Sequence, residues 1–353
     1  MERVSTLKVV DVIKETEDAV SIHFKQPFFG KLKYISGQFL TILVDVEGEV
    51  ERRCYSLNSA PKVDKTISIT VKRIKDGKVS NHVFNTVKVG DKMKVLHPMG
   101  EFKLAPDPKI KRHVVLFGAG SGITPLMSIL KSIIYKEPKS TVSLFYGNRD
   151  VESIIFNEEL NAIAEEYKER LNLIHILEEP GDFEDCYKGR VERSQVPELL
   201  NKVPKFPFGQ TECFICGPSG MMVEAEEGLK MAGVPEENIN IEKFSAPPVP
   251  SAQEMQAVGA FLENREVVIE LKGKKYPVPV KANKYILDAA LDEKIKLPYV
   301  CMDGICGSCK AEKVSGEVFM RKGHVLTKKE VENNIILPCI CKPITNGVVI
   351  KYA

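Results

Sequence analysis

The run Cys301-Met-Asp-Gly-Ile-Cys306-Gly-Ser-Cys309 sets three thiols in a C-x4-C-x2-C spacing, and a fourth, Cys339, follows after 29 intervening residues. Four thiolates so spaced suit two irons bridged by two sulfides, so this stretch must fold as a small domain shielding a [2Fe–2S] cluster. Gly304, Gly307 and Ser308 are small enough for backbone N–H groups to turn toward the sulfurs, where such bonds tune the potential. Structural zinc on Cys306, Cys309, Cys339 and Cys341, a CxxC with a CxC, is the rival reading. Cys341 is also the alternative fourth ligand of the cluster; spacing favours Cys339.

One such domain cannot fill 353 residues. At roughly 150 residues per domain the chain holds two or three. Residues 1–105 read as short β-rich runs (LKVVDVI, VSIHF, QFLTILVDV, TISITVKRI, KMKVL) broken by Gly, Asp and Pro, the pattern of an antiparallel β-barrel. From 106 to 245 apolar strands alternate with amphipathic helices (HVVLFG, TPLMSILKSII, TVSLFYG, FNEELNAIAEEY), which predicts an α/β domain on a parallel sheet. The proline-rich stretch 246–265 has linker composition, and 266–353 holds a hairpin, a short helix and the cysteine loop.

Charge is nearly balanced overall at +2, but residues 1–105, 106–265 and 266–353 carry +5, −8 and +5. Nothing is basic enough to require nucleic acid. The most apolar stretch, Val114 to Leu130, is broken by glycines and Pro125, so no membrane insertion is expected. The first residues lack a secretory signal pattern, and a cytoplasmic location is expected.

Two further constellations carry chemistry. In the first segment, Arg53-Cys-Tyr55-Ser56 is followed by Gly77-Lys78-Val79-Ser80-Asn81. A dinucleotide flavin needs a cation for its pyrophosphate, an aromatic face for its ring and a small donor near the reactive nitrogen; Arg53, Tyr55 and Ser56 offer these. On a strand Arg53 and Tyr55 face one side and Ser56 the other, so an edge Arg beside a packed Tyr is the plain alternative. In the second segment, Gly118-Ala-Gly120-Ser-Gly122-Ile-Thr124-Pro125 joins a strand to a helix, where glycines let phosphate approach the backbone and the helix amino-terminus. Pro125 is expected at the first helical position. Cys216-Gly217 ends a later strand, and ligands of open α/β sheets collect at such ends. Arg149 and Ser153 favour NADPH, whereas Asp150 could neutralise Arg149 or hold a ribose, which would suit NADH.

The carboxyl-terminal segment resembles a plant-type ferredoxin, which implies a β-grasp fold with Cys301, Cys306, Cys309 and Cys339 on the cluster. The other segments resemble the ferredoxin–NADP reductase superfamily. That resemblance implies that Arg53 binds the FAD pyrophosphate, Tyr55 covers the isoalloxazine, Ser56 bonds flavin N5 and the backbone of residues 77–81 holds phosphate. It places Thr124 near the nicotinamide, the pair Cys216 and Gly217 by its reactive carbon, and Phe244 near the flavin; a core Phe is the alternative there. Ser56 and Cys216 are thus the candidate catalytic residues. The whole chain resembles the reductase components of bacterial multicomponent oxygenases, in particular phenylacetyl-CoA epoxidase reductases, over YGNRDVESIIFNEEL, VERSQVPELL, FICGPSGMM and VSGEVFMRKGHVLTKKEVENNIILPC. The order flavin, nicotinamide, iron–sulfur has a chemical logic. NAD(P)H yields electrons as a hydride pair, a [2Fe–2S] cluster takes one at a time, and flavin can do both. The implied partner is a terminal oxygenase or another one-electron acceptor protein.

Overall fold

The computed structural model describes residues 3–27, 30–244, 263–282 and 284–352. The chain divides into two compact units, Glu2–Phe244 and Ser245–Ala353. Residues 246–262 of the expected linker lie outside the described residues.

The first unit opens with strands β1 (Val4–Lys14), β2 (Ala19–Lys25), β3 (Phe39–Val46), β4 (Glu49–Ser56), β5 (Ile67–Lys72) and β6 (Lys92–Met99). They form an antiparallel sheet in the order β4-β3-β6-β1-β2-β5. Its two edges meet where Leu57 bridges Ile69, which closes the barrel and leaves no long free edge. Alternation explains the closure: Ile22, Ile42, Ile69 and Val95 are buried in one core, while Ser21, Ser68 and Thr70, on the opposite face of their strands, are buried outside it. Helix α1 (Lys78–Thr86) starts at Gly77 and sinks Val79 and Val83 into this core.

The same unit continues as a parallel sheet: β7 (His113–Ala119), β8 (Thr141–Asn148), β9 (Leu171–Leu177), β10 (Cys186–Lys188), β11 (Thr211–Cys216) and β12 (Ile239–Glu242), in the order β10-β9-β8-β7-β11-β12. The order reverses between β7 and β11, the switch point where ligands of doubly wound sheets bind. Helices α2 (Ile123–Lys136), α3 (Asn157–Glu166), α4 (Val196–Asn201) and α5 (Ser219–Met231) cover the faces. One core lies beneath α2 and α3; the other holds the stacked Phe117–Phe145 pair, rings 4.6 Å apart. Helix α2 begins two residues earlier than expected, so Pro125 is its third residue rather than its first. A proline is tolerated there because the N–H groups of a first turn have no intrahelical partner.

The second unit is a sheet of β14 (Lys274–Val280), β13 (Arg265–Leu271), β19 (Val348–Tyr352), β15 (Ala311–Ser315) and β17 (Ile335–Ile336), in that order, with β13 and β19 parallel and the other pairs antiparallel. Helix α6 (Ile286–Asp292) contributes Ile286, Leu287, Ala289 and Ala290 to its core. A short pair, β16 (Val318–Met320) with β18 (Cys341–Pro343), flanks the cysteine loop. This is the expected β-grasp.

Candidate functional site: a nucleotide cavity, a flavin face and a thiol quartet

At the carboxyl edge of the parallel sheet lies a cavity of about 790 Å³, within the usual range for small-molecule sites. Gly120 lines it after β7, Asn148 to Asp150 after β8, Arg190 beyond β10, and Pro218 and Gly220 after β11. Two loops meet at its floor. A Cβ on Gly122 would collide with the carbonyl of Cys216 and lie 2.7 Å from Gly217 N, so only glycine lets the loop after β7 nest against the loop after β11. The Thr124 hydroxyl donates to Ser121 O at 3.0 Å and the Tyr146 hydroxyl to Gly120 O at 3.0 Å, so both side chains brace this loop.

The barrel supplies the opposite wall with Thr16, Glu17, Asp18 and Lys72. Lys72 Nζ stands 3.7 Å from where a Gly120 Cβ would be, and no carboxylate among the described residues lies within ion-pair reach of it. The arginines differ. Arg149 Nε pairs with Asp150 at 2.7 Å and Arg190 with Glu178 at 2.8 Å, though both guanidinium side chains stay largely exposed, 69% and 76%. Asp150 also accepts from Ser153 N, and the Arg149 guanidinium beside it holds its carboxyl below the usual range. Sequence reading missed Lys72 and Arg190, because nothing local to TVKRI or KGRVE marks them; the fold alone brings them to the glycine loop.

Arg53 and the start of α1 come together through Glu51, which lies 3.1 Å from Arg53 Nη1 and 3.6 Å from Lys78 Nζ, while Lys78 also pairs with Glu49 at 3.3 Å and Glu47 at 3.8 Å. No side chain caps the amino-terminus of α1 at Gly77. The Ser80 hydroxyl accepts from Ile74 N, Asn81 Nδ2 donates to the carbonyls of Ile74 and Gly77, and Val79 is core. Residues 78–81 therefore present backbone and the Lys78 ammonium, with the other side chains spent on the loop itself. Tyr55 packs its ring against the barrel core, and burial pushes its phenol up to about 12. Ser56 is only 4% exposed and its hydroxyl has no protein partner among the described residues. These groups fit a flavin dinucleotide: two cations and an uncapped helix start at one place, an aromatic face and an unspent hydroxyl further along the same strand.

Cys216 is fully buried among core side chains, and burial raises its thiol well above the ordinary range. The Cys216 carbonyl, rather than its thiol, meets the loop after β7 at Gly122. Phe244 follows β12, two residues beyond Glu242, the register partner of Cys216; it is 38% exposed and joins no core.

In the second unit the thiols meet in twos. Cys309 and Cys339 lie 3.2 Å apart, and Cys301 shares a hydrogen bond with Cys306 that draws the Cys306 thiol down to about 6. Asp303 N donates to Cys301 Sγ at 3.4 Å and Ser308 N to Cys306 Sγ at 3.5 Å. Gly304 and Gly307 have φ of +75° and +70°, the left-handed turns that aim such N–H groups inward, and a Cβ at Gly304 would strike Ile340. Two pairs are what a two-iron cluster requires, since sulfides complete each iron's shell. Burial and then the neighbouring thiols Cys309, Cys339 and Cys341 raise the Tyr352 phenol, whose buried hydroxyl lacks a protein partner among the described residues.

The chain matches three domain families in turn: an oxidoreductase FAD-binding domain over residues 6–104, an oxidoreductase NAD-binding domain over 116–227 and a 2Fe-2S iron-sulfur cluster binding domain over 269–343. It is 32% identical to a subunit of 1,2-phenylacetyl-CoA epoxidase from Escherichia coli, over 98% of this chain and 97% of that one. It is 36% identical to the ferredoxin reductase component of 3-ketosteroid-9-alpha-monooxygenase from Mycolicibacterium smegmatis, over 98% and 96%. Among solved structures it resembles phthalate dioxygenase reductase, a modular structure for electron transfer from pyridine nucleotides to [2Fe–2S], with TM-score 0.64, 25% identity and coverage of 99% and 98%. The chain therefore belongs to the family of oxygenase reductases that join FAD-binding, NAD-binding and [2Fe–2S] domains in one polypeptide.

Proposed function

We propose that this protein draws electrons from NADPH and delivers them singly to a separate terminal oxygenase, of the phenylacetyl-CoA epoxidase type or of a related hydroxylase or desaturase system. Three modules, residues 1–105, 106–245 and 266–353, divide the work in the cytoplasm. Among the described residues no helix is long and apolar enough to cross a membrane.

The observation that carries this reading is one chain holding both a nucleotide cavity walled by barrel and sheet and two facing thiol pairs. FAD, when bound, supplies the chemistry that joins hydride transfer to one-electron transfer. This chain's residues bind and orient. Arg53 leaves Glu51, and Lys78 leaves Glu47, Glu49 and Glu51, for the flavin pyrophosphate, Tyr55 covers the ring, and Ser56 directs its hydroxyl to N5. Lys72 and the loop from Gly118 to Gly122 take the nicotinamide nucleotide's diphosphate, with Thr124 and Pro125 fixing the helix behind it. Gly217 gives the nicotinamide ring its close approach beside the Cys216 backbone, and Phe244 flanks the flavin. Arg149 and Arg190, both exposed and held only by solvent-screened surface pairs, are free to turn onto a 2′-phosphate, which favours NADPH. Cys301, Cys306, Cys309 and Cys339 hold the cluster, with backbone N–H groups bonding its sulfurs.

An anaerobic titration with NADPH, followed by visible absorbance, tests the reading. Flavin bleaching together with loss of the cluster's visible bands is expected. A colourless protein, or one in which flavin bleaches while the cluster stays oxidised, would refute it.

A further inference from the structure

Helix α2 starts at the glycine loop and runs beneath the barrel, and one of its faces is unusually polar for a buried surface. Lys131 is 7% exposed, yet its ammonium lies 2.9 Å from Asp64 Oδ2 of the barrel and 3.1 Å from Glu159 Oε1 of α3. Lysines are almost never buried unless paired, and this one is paired to both sides of a domain junction. Ser128 Oγ donates to the barrel carbonyl Ser59 O at 2.6 Å, and the Ser132 hydroxyl bonds that of Ser36. Residues 128, 131 and 132 share one helix face, so three polar contacts fasten the same strip of α2 to the barrel. Asp64 is itself held in place, accepting from Ala60 N at 2.6 Å. Asp64 and Ser59 follow closely on Ser56, and Lys131 stands two turns along the helix that Gly122 caps. The fastening therefore links the flavin strand to the nucleotide loop by short, rigid paths.

We propose that Lys131, with Ser128 and Ser132, is a positioning latch that sets the distance between the nicotinamide and flavin sites. Directional hydrogen bonds and a buried cation allow one register between the domains, whereas an apolar interface tolerates sliding. Hydride transfer is sensitive to that register, because a misplacement of about 1 Å can cost on the order of a hundredfold in rate. The inference rests on the reading that NAD(P)H reduces a flavin held by this unit.

The test compares Lys131→Met, which removes the charge at similar length, with Lys131→Arg, which keeps it. In the Met variant, flavin bleaching at saturating NAD(P)H is expected to slow about tenfold or more, while nucleotide affinity and FAD content stay within about twofold. Hydrogen exchange at the 59–64 amides should quicken while that of β11 is unchanged. The Arg variant should recover most of the rate. An unchanged bleaching rate in the Met variant would overturn the latch. So would a fall matched by loss of FAD or of nucleotide affinity, which would mark Lys131 as a support of the fold alone. If the unsubstituted protein were not bleached at all, the hydride reading would fall, and the exchange measurement would still decide whether Lys131 holds the domains in register.

Discussion

Cys339 and Cys341 stand two residues apart, and their surroundings separate their roles. Cys339 faces Cys309 across 3.2 Å, whereas Cys341 opens β18 with its side chain fully buried in the core, where burial raises its thiol. Replacing Cys339 by Ser is expected to abolish the cluster, read as loss of iron and acid-labile sulfide. Cys341→Ala should keep both and lower stability by about 1 kcal/mol, the usual result of removing a small buried group; loss of iron in that variant would reassign the fourth ligand. The spacing rule reaches these thiol pairs because three of the four thiols, Cys301, Cys306 and Cys309, sit in one loop. Lys72 is the contrary case. It is an ordinary lysine at the end of a strand, and only closure of the barrel beside the parallel sheet carries it to the glycine loop. Residues whose role depends on contact between distant segments leave no local trace.

Elements are legible where period and length agree. The strands LKVVDVI, VSIHF and TVSLFYG and the helix in NEELNAIAEEY lie within β1, β2, β8 and α3, since each has enough residues to show its alternation or its apolar stripe. GKVSN reads as a phosphate loop, yet it opens a nine-residue helix; the β-branched and Asn residues of that helix are weak helix formers, and burial of Val79 and Val83 against the barrel outweighs them. The glycine loop shows how two elements constrain one residue. Gly122→Ala would place a methyl against the Cys216 carbonyl, and the Cys216 backbone cannot retreat without breaking its ladder with β7. We expect a loss of about 1–3 kcal/mol and, because the loop must shift, an increase in NAD(P)H KM of at least several-fold, checked by melting and by steady-state kinetics. Gly220→Ala, whose added methyl meets nothing within 4 Å and sits in the first turn of α5, should leave stability unchanged or slightly raised. Equal damage from both substitutions would show that packing of the two loops is not what the glycine at 122 serves.

At the scale of the molecule, the described cores never mix the two units: every buried cluster lies wholly within residues 7–234 or 267–352. Each unit therefore has its own hydrophobic reason to fold, which is the usual condition for an independent domain. The charge pattern follows the same division only in part, since the first unit, residues 2–244, joins two oppositely charged segments and nets −2 while the second, residues 245–353, carries +4. Electron delivery, unlike folding, needs both units, because a hydride donor and a one-electron outlet sit on different pieces of chain. A fragment of residues 1–244 is thus expected to retain FAD and to be bleached by NADPH while reducing a one-electron acceptor protein such as cytochrome c at least about tenfold more slowly than the full chain, the acceptor's docking and outlet domain being absent. Residues 263–353 alone should bind two irons and two sulfides yet show no response to NADPH. Adding the two pieces together restores little at micromolar concentration, because joining two domains in one chain raises the effective concentration of one at the other into the millimolar range. A reductase fragment that passed electrons to the acceptor as fast as the full chain would mean that the flavin itself is the outlet, and that the iron–sulfur unit serves some purpose other than delivery.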